Sequence, residues 1–235
     1  VIINGNTIFK KQKLLYRAKP KPLATTLHIT PKKPEDFDLK AKNPSCKSAT
    51  VNVITVQDNT IITGRSSAKL NIDKGIIKPS VFEDVLKISV VERYGGNTIA
   101  NGFVKGYGIK NGAIASSVSH DSHNIITVGT NSKYMARATN KIIENKGGIA
   151  AISNNDKLDL PLPIAGLMSD KPVADVAKNS TELNELVHKM GCDLRSPFTT
   201  LSFMALSVVP SLKITNKGLF DVDANKFINV VQHED

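Results

Sequence analysis

Between Gly102 and Gly129 the chain reads GFVKGYGIKNGAIASSVSHDSHNIITVG, with glycines at 102, 106, 108, 112 and 129. Each glycine inside a helix costs about 1 kcal/mol relative to alanine, so this density rules out one long helix. Short strands joined by tight turns remain. The flanks agree. TVNVITVQDNTIITG carries two β-branched runs, Val51 to Val56 and Thr60 to Thr63, separated by Gln57, Asp58 and Asn59, a hairpin by composition. VLKISVVERYGG reads as an apolar strand ending in Glu92, Arg93 and Tyr94 before a Gly-Gly turn. Helical periodicity marks two segments. Residues 131–146 place Met135, Ala138, Ile142 and Ile143 on one face and stop at Gly147-Gly148; a second helix is expected from Lys171 to Met190, stopped by Gly191. GIAAISNN is a strand, and LPLPIAGLMSD is a proline-stiffened loop whose Asp170 is the expected cap of the second helix. The apolar stretch PFTTLSFMALSVVPSLKIT closes the pattern. Hairpins and two helices without a βαβ rhythm predict an α+β fold, with mixed or antiparallel sheets and a few helices.

The opening VIINGNTIF alternates around an Asn-Gly turn signal and predicts a hairpin. From Arg17 to Pro44 five prolines block helix and central strand, which places a boundary there. Two units are expected: residues 1–40, a hairpin plus linker, and residues 41–235. The first residue is Val1, in what reads as a strand, so the chain is expected to derive from something longer.

Composition limits the function classes. With 235 residues, 40% of them hydrophobic, the chain can bury a core. The net charge of +10 comes largely from scattered lysines, as in KKQK, RAKPKP and TPKKP, with no aromatic interleaving beyond Tyr16. Such charge is a solvated surface or a polyanion site; the expectation is no nucleic-acid partner. No stretch approaches the roughly 18 apolar residues of a membrane span, and VIINGNTIFKK lacks a signal peptide's pattern, so no membrane partner and a cytoplasmic location are expected. Cys46 and Cys192 form no CxxC pair, and GFVKGYG matches neither GxxxxGK[ST] nor GxGxxG.

The candidate chemistry sits in SSVSHDSHN, residues 116–124, which holds two of the five histidines. His120 and His123 converge only on a helical turn or loop. With Asp121 between them, they suit a metal site, a catalytic or substrate-contacting cluster, or a hydrogen-bonded polar turn. A metal site needs more ligands than this stretch supplies, and His28, His188 and His233 join only if the fold brings them. Glu92 and Arg93 read either as an exposed strand end or as a carboxylate and a guanidinium aimed at a polar ligand.

KISVVERYGGNTIANGFVKGYGIKNGAIASSVSHDSHNIITVGTN, LPLPIAGLMSD and PFTTLSFMALSVVPSLKITNKGLFDV together resemble the carboxy-terminal region of the microbial adenine deaminases, members of the amidohydrolase superfamily. The likeness runs from about Asp36 to Val222, and VIINGNTIFKKQKLL resembles the hairpin returning from the family's barrel to its small β-domain, which implies that residues 1–40 are a short piece of a β-sandwich domain plus linker. The resemblance implies hydrolysis of adenine to hypoxanthine and ammonia. It also implies manganese or iron in a (β/α)₈ barrel that this chain lacks, since HxH is absent here, and no metal bound by the chain itself. On that basis His120, Asp121 and His123 are candidate catalytic residues, and Ser122, Asn124, Glu92 and Arg93 candidate substrate-binding residues. Adenine and the barrel are the implied partners, with a homo-oligomer left open. Tyr94 stands where the family often has histidine, and Ser207 and Ser211 where it usually has proline and glutamate. The competing class is a non-enzymatic purine-binding or interaction module with a basic surface.

Overall fold

The computed structural model describes residues 1–16 and 25–235; residues 17–24, part of the proline-rich stretch, lie outside the described residues. The Asn-Gly signal is realised. Asn4 and Gly5 take positive φ, and β1 (Ile2–Ile3) pairs with β2 (Asn6–Thr7). A second small hairpin joins β3 (Phe9–Lys10) to β4 (Lys13–Leu14).

The body is a ten-stranded sheet. It contains β5 (Ser48–Thr55), β6 (Gly64–Asp73), β7 (Ile76–Ile77), β8 (Val85–Val91), β9 (Ile99–Lys105), β10 (Ala113–Ser116), β11 (Ile125–Gly129), β12 (Gly148–Ile152) and β13 (Lys157–Pro161). Their order is β13-β12-β10-β11-β8-β9-β5-β6-β7. All these neighbours run antiparallel except β5 and β9. A separate antiparallel sheet holds β14 (Leu212–Thr215), β15 (Gly218–Asp221) and β16 (Lys226–Ile228). The tenth strand of the main sheet, β17 (Val231–Glu234), returns to pair with the first half of β5.

Both faces of the central strands are covered, which is why β8, β10, β11 and β12 are buried throughout instead of alternating. On one face lies α1 (Ser132–Glu144), capped by the Asn131 side chain accepting from Tyr134 N–H. Met135, Ala138 and Ile142 pack on Ala113, Ala115, Ala150 and Ile152, whose small side chains let the helix sit close. On the other face α2 (Val173–Lys189) and α3 (Pro197–Ser202) bring Leu183, Leu186, Val187 and Leu201 into one cluster with Ile114, Ile126 and Val128. Each such side chain contributes about 1.5–3 kcal/mol of burial.

Several local expectations shift. The run Thr60 to Thr63 is loop, and β6 begins at Gly64, because the run's backbone is engaged elsewhere. Thr63 exchanges backbone bonds with Pro210 and Ser211, and Ile61 O accepts from Lys213 Nζ at 2.8 Å. KLDLP adds β13 before the proline-rich loop. Asp170 is exposed and does not cap α2, whose N-cap is Pro172, because the helix starts at Val173. The closing apolar stretch divides into α3 and β14. Among the described residues no helix is long and apolar enough to cross a membrane.

Among the described residues, Lys87 and Lys213 are the most deeply enclosed lysines. Lys87 of β8, 3% exposed, donates to Asp38 Oδ1 at 2.9 Å and to Ser132 Oγ at 2.6 Å, and Ser132 Oγ–H donates to the same carboxylate. The network ties β8, the first turn of α1 and the chain after the 3₁₀ turn Pro34–Phe37 into one joint. Burial raises the Asp38 carboxyl, but bonds from Ser132 and Lys87 and the Lys87 charge outweigh it and hold it below its ordinary value. Burial lowers Lys87, and Asp38 restores part of that loss. Lys213 of β14 is fully enclosed, and burial pushes its ammonium down to about 8.

Removing Asp38 leaves the Lys87 ammonium uncompensated, so Asp38→Ala should lower unfolding free energy by about 3–5 kcal/mol in urea titrations, whereas Asp38→Leu with Lys87→Met should cost far less. Between about pH 8 and the ordinary lysine value the unfolded chain binds the Lys213 proton more tightly than the folded one. The Lys213 contribution to stability therefore rises with pH across that window. Urea midpoints at pH 7.5 and 9.5 should show this rise in the parent relative to Lys213→Met.

Candidate functional site

The end of β8, the turn between β10 and β11, and the loop after β13 meet at one end of the sheet. The register makes this unavoidable: Val91 opposes Ile125, and Ser116 opposes Ile126 on one side and Ile149 on the other. Glu92-Arg93 and SSVSHDSHN therefore leave the sheet side by side. LPLPIAGLMSD closes over them. Ser117 Oγ donates to Gly166 O at 2.6 Å and accepts from Gly148 N–H at 2.8 Å. Gly166 has φ +72°, and a β-carbon there would run into Arg93 Nη1, so only glycine lets this loop approach.

Within the turn, His123 N–H donates to Ser119 O at 2.7 Å, and His120 N–H donates to Ser202 O at 2.9 Å. The His120 ring stacks on Phe203 at 4.7 Å with planes 10° apart. His123 sits edge-on to it, with ring centroids separated by 6.2 Å. Both histidines are half-buried, and Asp121 and Ser122 at the tip are exposed. Tyr94 O–H donates to Ser122 O at 2.7 Å, so the residue standing where the family often has histidine holds the tip of the turn. A cavity of about 310 Å³ opens beside that tip, lined by Asp121, Ser122, Ser207, Val208, Lys217 and Phe227 among others.

The structure sorts the sequence candidates into two groups. Glu92 is occupied: its Oε1 accepts from Tyr94 N–H at 2.6 Å and its Oε2 from Asn97 N–H at 3.0 Å, closing the Gly95-Gly96 turn. Asn124 is buried, accepting from Arg93 N–H at 3.3 Å and donating to Ser122 Oγ at 3.2 Å. These two shape the site. Arg93, His120 and His123 instead present open groups. Among the described residues, seven enclosed side-chain atoms have no hydrogen-bond partner, and five of them are Arg93 Nε, Arg93 Nη1, Ser119 Oγ, His120 Nδ1 and His123 Nδ1. Such orphans are rare in folded proteins, and their clustering here singles this end of the sheet out as the candidate site. The Glu92-Arg93 pair is not an exposed strand end, since both side chains are buried.

Burial, then the Arg93 charge and His120, holds His123 below its ordinary value, against smaller opposing effects of Asp121 and the Ser119 carbonyl. At neutral pH its imidazole is uncharged. The remaining histidines are engaged elsewhere or exposed: His188 Nδ1 faces Cys192 O, His233 Nε2 faces Thr50 Oγ1, and His28 is exposed with its backbone N–H on Arg93 O. No group of three or more His, Cys, Asp or Glu among the described residues is arranged to hold a metal ion. Sequence reasoning passed over Ser117, Ser119, Gly166 and Phe203. Ser119 lay inside the quoted motif, but its burial depends on α3, far along the chain.

The chain is similar to known proteins of one family. The adenine deaminase C-terminal domain family matches residues 60–226. An adenine deaminase of Methanosphaera stadtmanae is 73% identical over 234 residues, covering 100% of this chain and 43% of its own length. One from Dehalococcoides mccartyi is 42% identical over 227 residues, 95% of this chain and 38% of its own. Another, from Methanothermobacter thermautotrophicus, is 42% identical over 199 residues, 84% of this chain and 37% of its own. The chain thus spans less than half the length of these relatives. Since the matched region takes in the end of β8, the histidine turn, the Gly166 loop and Phe203, this chain belongs to the adenine deaminase C-terminal domain family.

Proposed function

We propose that this chain serves as the C-terminal domain of an adenine deaminase, and that its histidine turn lends groups to an active site whose metal centre is built outside it. The reaction is hydrolysis of adenine to hypoxanthine and ammonia. The observation that carries the reading is the concentration of enclosed, unpaired polar atoms at Arg93, Ser119, His120 and His123. A manganese or iron ion does not fit the residues present, since the two imidazoles have no third ligand among the described residues. That ion, held by a barrel, would supply the hydroxide that attacks the ring.

What remains for this chain is recognition and proton handling. An uncharged imidazole offers one donor and one acceptor, which complements the alternating acceptors and N–H groups around a purine. Phe203 fixes the plane of His120, and the Ser119 carbonyl fixes the backbone of His123, so the rings are oriented before any ligand arrives. Asp121 and Ser122, exposed at the tip, are placed to meet a partner surface, with Tyr94 bracing them.

In the full-length protein, His120→Ala and His123→Ala should each lower turnover of adenine by about tenfold or more. Unchanged kinetics with a lower melting temperature would instead make the turn structural. Because His123 is held below its ordinary value, the neutral form persists to lower pH, and the acid limb of the full-length enzyme's rate profile that depends on it should lie below about pH 6.5. The 235-residue chain by itself, given adenine and manganese, should release no ammonia; release at an enzyme-like rate would overturn the placement of the metal elsewhere.

A further inference from the structure

Arg93 is 2% exposed, yet among the described residues its Nε and Nη1 have no acceptor and it joins no ion pair. The undescribed residues 17–24, RAKPKPLA, contain no carboxylate that would complete it. The adjacent Glu92 is committed to the backbone of Tyr94 and Asn97. A guanidinium stays charged in proteins, and enclosing it without a counter-ion costs several kcal/mol. The enclosed Lys87, on the same strand, has its carboxylate in Asp38. Arg93 lacks the equivalent.

The side chain is held in place. Its backbone is fastened at both ends, by His28 N–H on Arg93 O at 2.8 Å and by Arg93 N–H on Asn124 Oδ1 at 3.3 Å. The guanidinium lies 5.1 Å from the centroid of the Tyr94 ring, and Nη1 packs against Gly166 in the space that a β-carbon would fill. The fork is therefore braced while Nε and Nη1 stay enclosed and without an acceptor. We propose that Arg93 is the base of a carboxylate-binding socket beside the histidine turn. A planar carboxylate matches the fork, whereas a phosphate dianion would want further cations, and the charged side chains at the tip of the turn, Asp121 and Lys217, are opposite in sign. The socket stands on Arg93 itself and does not depend on the deaminase reading.

Filling the socket changes the turn. The groups that face His123 are Arg93, from the end of β8, and His120 and Asp121, from its own turn. A carboxylate on Arg93 cancels the cation that disfavours the imidazolium, so the ligand and a proton on His123 bind cooperatively.

The test follows the His123 ring C–H resonance of the 235-residue chain through a pH titration, with formate as probe at constant ionic strength and assignment by His123→Gln. Formate should raise the His123 pKa saturably, by about one unit. Arg93→Lys should keep the low starting value and weaken the formate response by about tenfold, because it loses the fork. Arg93→Met should start higher and ignore formate; if it does not fold, Arg93→Lys decides. N-acetylaspartate N-methylamide, run in parallel, separates the sources. A response to formate alone identifies a free small acid, and a response to both admits an aspartate from a packed segment. No saturable response in the parent, or an equal response in Arg93→Lys, overturns the socket.

Discussion

A strand enclosed on both faces, as β8 is from Val85 to Val91, spends its backbone donors and acceptors on its two neighbours and leaves none for a charged side chain. A cation on such a strand needs a partner from another layer. Lys87 meets this demand in mid-strand, where Asp38 and Ser132 converge on its ammonium and bind the 3₁₀ turn to α1. Arg93, just past the end of the same strand, does not meet it. Packed against Arg93 are a glycine and an aromatic ring. One buried charge locks the fold; the other is left with its chemistry unspent where three chain segments meet.

The legibility of the sequence follows the range of the forces involved. The helix over Ser132–Glu144 was readable because its apolar period, its Asn131 cap and its glycine stop are all local. The central strands were readable because a sheet covered on both sides demands uninterrupted apolar runs. Thr60 to Thr63 looked like a strand for the same reason, yet its carbonyls and amides belong to Pro210, Ser211 and Lys213, far along the chain. β13 hid behind Asp159 and Pro161, which an edge strand tolerates and a central one does not. The parallel pairing of β5 with β9 has no local signature.

The histidine turn divides in the same way. Its existence as a polar turn before an apolar strand could be read directly. Which of its polar atoms are free could not, because that depends on burial under the Gly166 loop and α3. Glu92 and Arg93, adjacent and opposite in charge, looked like a pair acting together; the structure gives one to a glycine turn and turns the other inward. Tyr94, which stood out as a departure from the family pattern, became a brace for the turn's tip.

The return of β17 onto β5 bears on synthesis. Val231 opposes Val51 and Glu234 opposes Ala49, so the first half of β5 waits for a partner about 180 residues further along the chain. Until Glu234 clears the ribosome, the first half of β5 has an open edge on that side, a template for pairing with another nascent chain. The lysines crowding residues 40, 42 and 47 just ahead of it place charge beside that edge during the wait. Lysines beside an exposed strand edge are one of the means by which proteins discourage edge-to-edge pairing.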